Sequence, residues 1–550
     1  MRIIVIGAVA GGTSAAAKAR RNREDAQIVV YERDSDISYS GCGIPYYLGD
    51  VVESPDALTP RDADFFKRKY NVDVRTRHEV LTIDPAQHTV TVRNLTTGET
   101  LLDRYDRLVI ATGARSAVPP IAGTNLPHVF TLRSIQDMRR MKAFLNTQKP
   151  TEAVIVGTGF IGMEMAENLK ALGMRITMLE KLPQVVPGLD ADMAVHVQTH
   201  LQQNGVNVRT GVTVQAITET DVRLADGGAV PAGLVLLATG VKPNTELAAA
   251  AGIALGRTGA IRVDAAMRTN LEDVYACGDC IEHTQLVTGK PVYRPLGSTA
   301  NKTGRIAGDS CTGGDLTFRG ILGTGIFRVF GMTVAQTGLT EREALAEGLS
   351  PVVCHNIKPD KPTYLHGRDM VIKGVADGRT GRLLGAQIVG MDGVDKRIDV
   401  LATAITFGAK AEDLFHLDLA YAPPFSTTKD PVHYTGMILE NALHRGRPLM
   451  MAEALQGLAS EGKPVILIDT RTPAQFAKRH VPGAVNIPQE ELRTAAEKMD
   501  REATTVTYCN KGTTGNAAQN ILLGKGFTHV YNLSGGETQY AAEQAERDDQ

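Results

Sequence analysis

The chain has 550 residues, with 59 basic and 61 acidic side chains and a formal net charge of −2. That balance gives no sign of a polyanionic partner and leaves only local basic patches to consider. Six cysteines, at 42, 277, 280, 311, 354 and 509, are too sparse for a disulfide framework and fit a reducing, cytoplasmic setting. No run of about 18 uninterrupted apolar residues is present, so no transmembrane helix is expected.

At roughly 100–200 residues per domain, the chain holds about three to five domains. Residues 3–6 are apolar, but glycines at 7, 11 and 12 and the basic Arg20, Arg21 and Arg23 follow with no spacer or cleavage site. This start is therefore read as a strand, not a secretion signal. After Gly7-Ala8-Val9-Ala10-Gly11-Gly12 come a small-residue helix, a strand over 28–31 and Glu32. The same grammar returns as a strand over 153–156, Gly157-Thr158-Gly159-Phe160-Ile161-Gly162, a helix to Leu172, a strand over 176–179 and Glu180. Each region closes on a matching strand and turn, ending Ala111-Thr112-Gly113 and Ala238-Thr239-Gly240. The pattern predicts two Rossmann-like dinucleotide-binding domains, one inserted in the other: residues 1–120 with 245–325, and 121–244.

From 326 to 447 alternating runs such as 385–390 predict strands, and 399–407 a helix, giving an α+β domain that ends in a linker near Gly446 and Pro448. From 455 strands over 465–469, 484–487, 505–508 and 530–533 alternate with helices, which predicts a small parallel α/β sheet domain to residue 550.

The second glycine motif is the stronger nucleotide signal. Gly157 permits the tight turn, Gly159 lets backbone approach a pyrophosphate, Gly162 lets helix pack on strand, and the helix N-terminus stabilises phosphate. Glu180 stands where an acid bonds a ribose 2′-hydroxyl and repels a 2′-phosphate, which favours NADH; Lys181 beside it leaves NADPH possible. The first motif has Val9 in place of its second glycine. It gains weight from Ala276-Cys277-Gly278-Asp279, where Asp279 is placed to accept from a ribityl hydroxyl of FAD. Cys277 and Cys280 form C-x-x-C, yet zinc needs four ligands and no second pair is near, so packing is the expected role and no metal is assigned.

With Ile37-Ser38-Tyr39-Ser40-Gly41-Cys42-Gly43-Ile44-Pro45-Tyr46-Tyr47 added, residues 1–445 resemble the pyridine nucleotide–disulfide oxidoreductases. Within that family they are most similar to coenzyme A-disulfide and coenzyme A-persulfide reductases with one redox cysteine. The resemblance implies FAD held by Gly7, Ala10, Gly11, Gly12, Glu32, Arg33, Val80, Ala111, Thr112, Gly113 and Asp279. It implies NADH on Gly157, Gly159, Phe160, Ile161, Gly162, Glu180 and Gly240. Cys42 is expected against the flavin at or near a helix N-terminus, which would lower its pKa. Ser38 and Gly41 leave it no cysteine partner nearby, so a mixed disulfide with substrate or an oxidised sulfur is required. Coenzyme A is expected on Ser14, Lys18, Arg21, Ser38, Lys69, Asn301 and Lys429, although solvated surface basics would look the same. Gly41 departs from the Asn often found there. Tyr364 and Tyr421 are candidate proton donors to a leaving thiolate. The Tyr421-Ala422-Pro423-Pro424-Phe425 segment resembles one that reaches across a homodimer.

Residues 455–550 resemble single-domain rhodaneses through Asp469-Thr470-Arg471-Thr472-Pro473, the stretch from His480 to Pro488, Leu533-Ser534-Gly535-Gly536, and Cys509 opening the loop to Gly515. The loop amides ahead of a helix would stabilise a thiolate or persulfide. The loop lacks the Arg often found late in such loops. Together these imply an FAD-dependent NAD(P)H reductase of persulfide, polysulfide or coenzyme A disulfide, with Cys509 carrying sulfane sulfur. The alternatives are an NADH oxidase or peroxidase, disfavoured by Ala10 where such enzymes usually carry His, and a slow redox sensor or sulfur carrier.

Overall fold

Apolar runs that lead into glycine turns become inner strands of parallel sheets. A computed structural model describes residues 1–549, in two compact units: residues 1–181 with 209–323, and 182–208 with 324 onward.

The first unit holds two parallel sheets of the expected Rossmann type. One has the order Val274–Ala276, Arg107–Ile110, Arg2–Ile6, Gln27–Tyr31, Asp73–Arg75. The other runs Arg175–Leu179, Glu152–Val156, Leu234–Leu237, Val129–Phe130. Their central strands are buried on both faces, as Ile3–Val5, Val154 and Leu234–Leu236 show, and read as continuous apolar runs rather than alternating ones. Each sheet is accompanied by a three-stranded antiparallel meander, His78–Asp84 to Arg104 in one case and Val214–Ile217 to Pro231 in the other. The internal likeness of the two halves thus extends beyond the glycine motifs.

In the second unit five strands, Gly325–Val329, Met332–Gly338, Leu383–Gly390, Asp369–Asp377 and Pro351–Pro359, form an antiparallel sheet in that order. Helices Val394–Thr406 and Pro431–His444 accompany it. A five-stranded parallel sheet follows, ordered Leu449–Met450, Val530–Leu533, Thr505–Tyr508, Ile466–Asp469, Val485–Asn486. Leu449 and Met450 pair with Asn532 and Leu533, so this sheet takes in residues ahead of 455. The C-terminal module packs against the antiparallel sheet: the His355 amide donates to Ser534 Oγ at 2.8 Å. Gln539 Nε2 donates to the Asp192 carbonyl at 2.8 Å, on helix Ala191–Gln203. Beneath this junction Lys373 is 0% exposed and pairs with Asp192 at 2.6 Å, Glu341 at 2.7 Å and Asp190 at 3.2 Å.

Candidate functional site

Three assemblies of side chains stand out, two in the first unit and one in the second.

The first is a dinucleotide cradle and its cysteine. Gly7 leaves its strand at φ +105°, and a Cβ there would fall 2.3 Å from the Ala111 carbonyl oxygen; only glycine makes this turn. Gly12 lies against the Gly7 carbonyl in the same way. Helix Ala10–Asn22 then starts with no side-chain cap on Val9, leaving its first amides free of a local side-chain acceptor. Glu32, buried, accepts from the Ala8 amide at 2.8 Å and the Asp34 amide at 2.9 Å. Burial pushes its carboxyl up, and those two amides oppose the shift. Ala111, Thr112 and Gly113 (φ +66°) form the facing turn, with Thr112 Oγ1 bonded to the Asn244 carbonyl. Val80 is buried and Arg33 exposed.

Asp279 tests whether this cradle suits a flavin dinucleotide. One carboxylate oxygen accepts from Arg133 Nη2 at 2.5 Å, while Oδ1 is buried with no hydrogen-bond partner among the described residues. A buried acceptor left this way is costly unless a ligand hydroxyl meets it. The cradle, the acid at 32 and this orphan acceptor therefore fit FAD. Asp279 and Arg133 both lie within electrostatic reach of Cys42.

Cys42 is exposed, in a short 3-10 turn, Gly41–Gly43, ahead of helix Ile44–Leu48. The electrostatics of the surrounding side chains run against the expected lowering of the thiol pKa. Although the residue is exposed, loss of water around the thiol pushes its pKa up first, Glu164 pushes it further, Arg133 opposes and Asp279 adds to the rise. A five-residue helix aligns too few peptide dipoles to overcome that. A side chain at Gly43 would meet Leu58 Cδ2 at 2.4 Å and displace that leucine, whereas Gly41 has room for one. By contrast Cys277 and Cys280 are sealed in the core, their thiols raised by burial.

A cavity of about 550 Å³ adjoins the segment leading into Cys42, lined by Ser38, Tyr39 and Ser40 and by Ser14, Arg21 and Asn301. Four of the seven expected coenzyme A contacts meet here, and Ser14 Oγ bonds Asn301 Oδ1 at 2.7 Å. Lys18 and Lys69 are not among its lining residues: Lys18 pairs with Asp309 at 3.0 Å, and Lys69 lies 5.9 Å from the Phe65 ring centre. Lys429 belongs to the other unit. Arg61 and Arg305 line the cavity and were missed. Arg305 follows Asn301 by four residues on helix Gly297–Ser310, so i, i+4 spacing was the signal for it.

The second assembly repeats the cradle. Gly157 has φ +100°, with a Cβ position 2.5 Å from the Ala238 carbonyl. Glu180 accepts from the Thr158 amide at 3.0 Å and its hydroxyl at 2.7 Å, as Glu32 accepts from Ala8. Gly159, Gly240 and the start of helix Phe160–Ala171 with Ile161 form its rim, and a side chain at Gly159 would meet open space, leaving backbone accessible to a pyrophosphate. Gly162 packs on the Gly157 carbonyl.

The third assembly surrounds Cys509, which follows strand Thr505–Tyr508 and is 7% exposed. Helix Thr513–Gly524 begins after Gly512 (φ +91°) without a side-chain cap. Arg471 grips buried Asp469 through Nε and Nη2 and holds Asn510 Oδ1 at 3.0 Å; the Glu537 amide donates to the Cys509 carbonyl at 2.9 Å. Tyr364 and Tyr421, in the same unit, are 72% and 49% exposed, so in the single chain they reach outward.

The comparisons give the family. The pyridine nucleotide-disulphide oxidoreductase pattern matches residues 1–293, its dimerisation domain 326–431 and a rhodanese-like domain 451–543. The chain belongs to the pyridine nucleotide-disulphide oxidoreductases, which use FAD and NAD(P)H, and carries a C-terminal rhodanese domain. It is similar to the NAD(P)H sulfur oxidoreductase (CoA-dependent) of Pyrococcus furiosus, at 35% identity over 80% of this chain and 99% of that one. Among solved structures it is similar to reduced Bacillus anthracis CoADR-RHD, with a TM-score of 0.96 and 36% identity over 99% and 98% of the two chains. The NAD-dependent persulfide reductase from A. fulgidus matches with a TM-score of 0.91 and 38% identity over 98% and 100%. Among the described residues no helix is long and apolar enough to cross a membrane.

Proposed function

We propose that the chain is an FAD-dependent NAD(P)H reductase of coenzyme A persulfides and related polysulfides, with coenzyme A-disulfide reduction as a kindred activity. Residues 1–120 with 245–325 are assigned to FAD, 121–244 to NADH, 326–447 to dimerisation and 455–550 to sulfur handling. The observation that carries the reading is the cavity lined by Arg21, Arg61, Arg305, Ser14 and Asn301 that runs up to Ser38–Ser40, two residues from a cysteine with no cysteine partner nearby. Guanidinium groups suit phosphates, and a thiol carried on a phosphorylated arm would end beside Cys42.

The bound flavin supplies a path for the electron pair of a nicotinamide hydride to a neighbouring sulfur. The chain does the rest. Cys42 attacks the coenzyme A-proximal sulfur of the persulfide; the Cys42–coenzyme A bond forms, the S–S bond breaks, and the electron pair leaves on hydrosulfide. Two electrons and a proton then return Cys42 as thiolate and coenzyme A as thiol. Glu180 favours NADH by repelling a 2′-phosphate. Tyr364 and Tyr421 would donate protons across a cytoplasmic homodimer to the partner's site, which their outward exposure supports. Cys509 would accept sulfane sulfur and pass it to the coenzyme A thiol, and joining the two domains raises their mutual effective concentration. An oxidase reading finds no acid–base group at Ala10.

The test is anaerobic NADH oxidation with coenzyme A persulfide against coenzyme A disulfide, following sulfide. Persulfide is expected to be preferred, with the rate lost in Cys42→Ser. Full sulfide release in that variant would refute the role of Cys42, and a strong disulfide preference would make thiol maintenance the function.

A further inference from the structure

The Cys509 loop has one basic residue before its helix, Lys511, and Lys511 is already engaged by Asp369 at 2.5 Å. Arg471, which holds Asn510 of the loop, is neutralised by Asp469 and Glu537; a further cation reaches the loop from a different module. Lys358, on strand Pro351–Pro359 of the antiparallel sheet, donates from Nζ to Thr513 Oγ1 at 2.9 Å, at the first residue of the uncapped helix. Its ammonium sits 4.2 Å from the Tyr434 ring centre, and Lys429 lies 5.4 Å from the same ring. Burial pushes the Lys358 pKa down, Cys509 pulls it up, and Lys511 and Lys429 push it down again; all three lie within electrostatic reach of this ammonium.

Such a site has a charge problem to solve. A thiolate that takes sulfur from an anionic donor meets like charge on approach, and its product is again an anion. A fixed cation beside helix-terminal amides offsets both. Lys511 is shared with Asp369, and the loop supplies no other cation.

We propose that Lys358 completes the Cys509 site from the dimerisation domain and selects anionic sulfane-sulfur donors. The inference rests on the sulfur-carrier role given to Cys509 above. With thiosulfate as donor, Cys509 thiolate attacks the outer sulfur. The Sγ–S bond forms, the donor S–S bond breaks, and the electron pair leaves on sulfite. No proton or net electron is consumed, and Cys509–S–S⁻ remains beside Lys358.

Two readouts on the full-length flavoprotein separate the claims. One is sulfite release and Cys509 persulfide formation from thiosulfate alone, resolved by peptide mass spectrometry. The other is the ratio of Cys509 alkylation rates with iodoacetate, an anion, and iodoacetamide, which is neutral. Lys358→Met is expected to lower that ratio about fivefold, the scale of one nearby charge in a solvated site. It should raise half-saturating thiosulfate to a similar degree, and Lys358→Arg should restore both. An unchanged ratio with unchanged half-saturation overturns the inference even where persulfide forms. So does a loss that Lys358→Arg fails to rescue, because that marks a purely structural role. If the ratio falls but wild type forms no persulfide, anion selection by Lys358 stands and the sulfur-carrier reading fails.

Discussion

Cys42, though exposed, is held by its surroundings above the ordinary thiol range, by partial loss of water around the thiol first and by Glu164 second. Its alkylation rate should therefore keep rising with pH past the point where a free thiol levels off. Glu164→Gln should shift that profile to lower pH, read as peptide-resolved iodoacetamide labelling; a profile that stays in place would show that Glu164 does not act on the thiol. Asp279 makes a second residue-scale prediction. Asp279→Ala removes the orphan acceptor and leaves the Arg133 guanidinium without its carboxylate, so flavin retention should fall sharply, measured as the flavin-to-protein absorbance ratio. Both residues were legible in the sequence because each sits at a fixed offset within a local motif. Arg133 was not, since it meets Asp279 from 146 residues away, and nothing in its own neighbourhood in the chain marks it.

At the scale of elements, the glycine turns carry the strictest demand. Gly157→Ala would place a methyl 2.5 Å from the Ala238 carbonyl at a φ of +100°. Strain at such a position costs about 1–3 kcal/mol, and relieving it must move the turn that leads into helix Phe160–Ala171. The expected outcome is a large rise in KM for NADH with flavin content unchanged, checked by stopped-flow flavin reduction. The paired strand–turn–helix units were readable because their glycines and period are local. The Cys42 segment shows where such reading stops. The resemblance implied a helix start near Cys42, yet helix length decides the field at its terminus, and Tyr46–Glu164 and Gly43–Leu58 contacts bear on that segment from elsewhere in the chain.

For the whole molecule, the Rossmann-like and C-terminal parallel modules and the α+β character of the domain between them were legible from pattern, whereas the antiparallel direction of that domain's strands was not. What sequence could not show is how the last module sits on the one before it. The residues that join them, His355 with Ser534 and Lys358 with Thr513, are more than 150 positions apart. Lys373 is central to that half of the chain. Burial opposes its charge, but Asp192, Asp190 and Glu341 hold its pKa up, and Asp192 is held well below the usual carboxylate range against its own burial, by His355 and Lys373. Lys373→Met removes the buried cation that Asp190, Asp192 and Glu341 share; breaking a buried pair costs about 3–5 kcal/mol, read as a lower urea midpoint for the second unit. Because the Asp192 pKa is depressed by folding, its stabilising share is present at neutral pH and is lost as pH falls from the unfolded carboxylate range through the folded value.

The most direct test of the account is the mass of the Cys42 peptide after anaerobic treatment with coenzyme A persulfide, before and after NADH. The account predicts one coenzyme A joined to Cys42 by a disulfide, removed by NADH and absent from Cys42→Ser. A Cys42 peptide that never carries coenzyme A while sulfide is still released, or an adduct that NADH leaves in place, would contradict it.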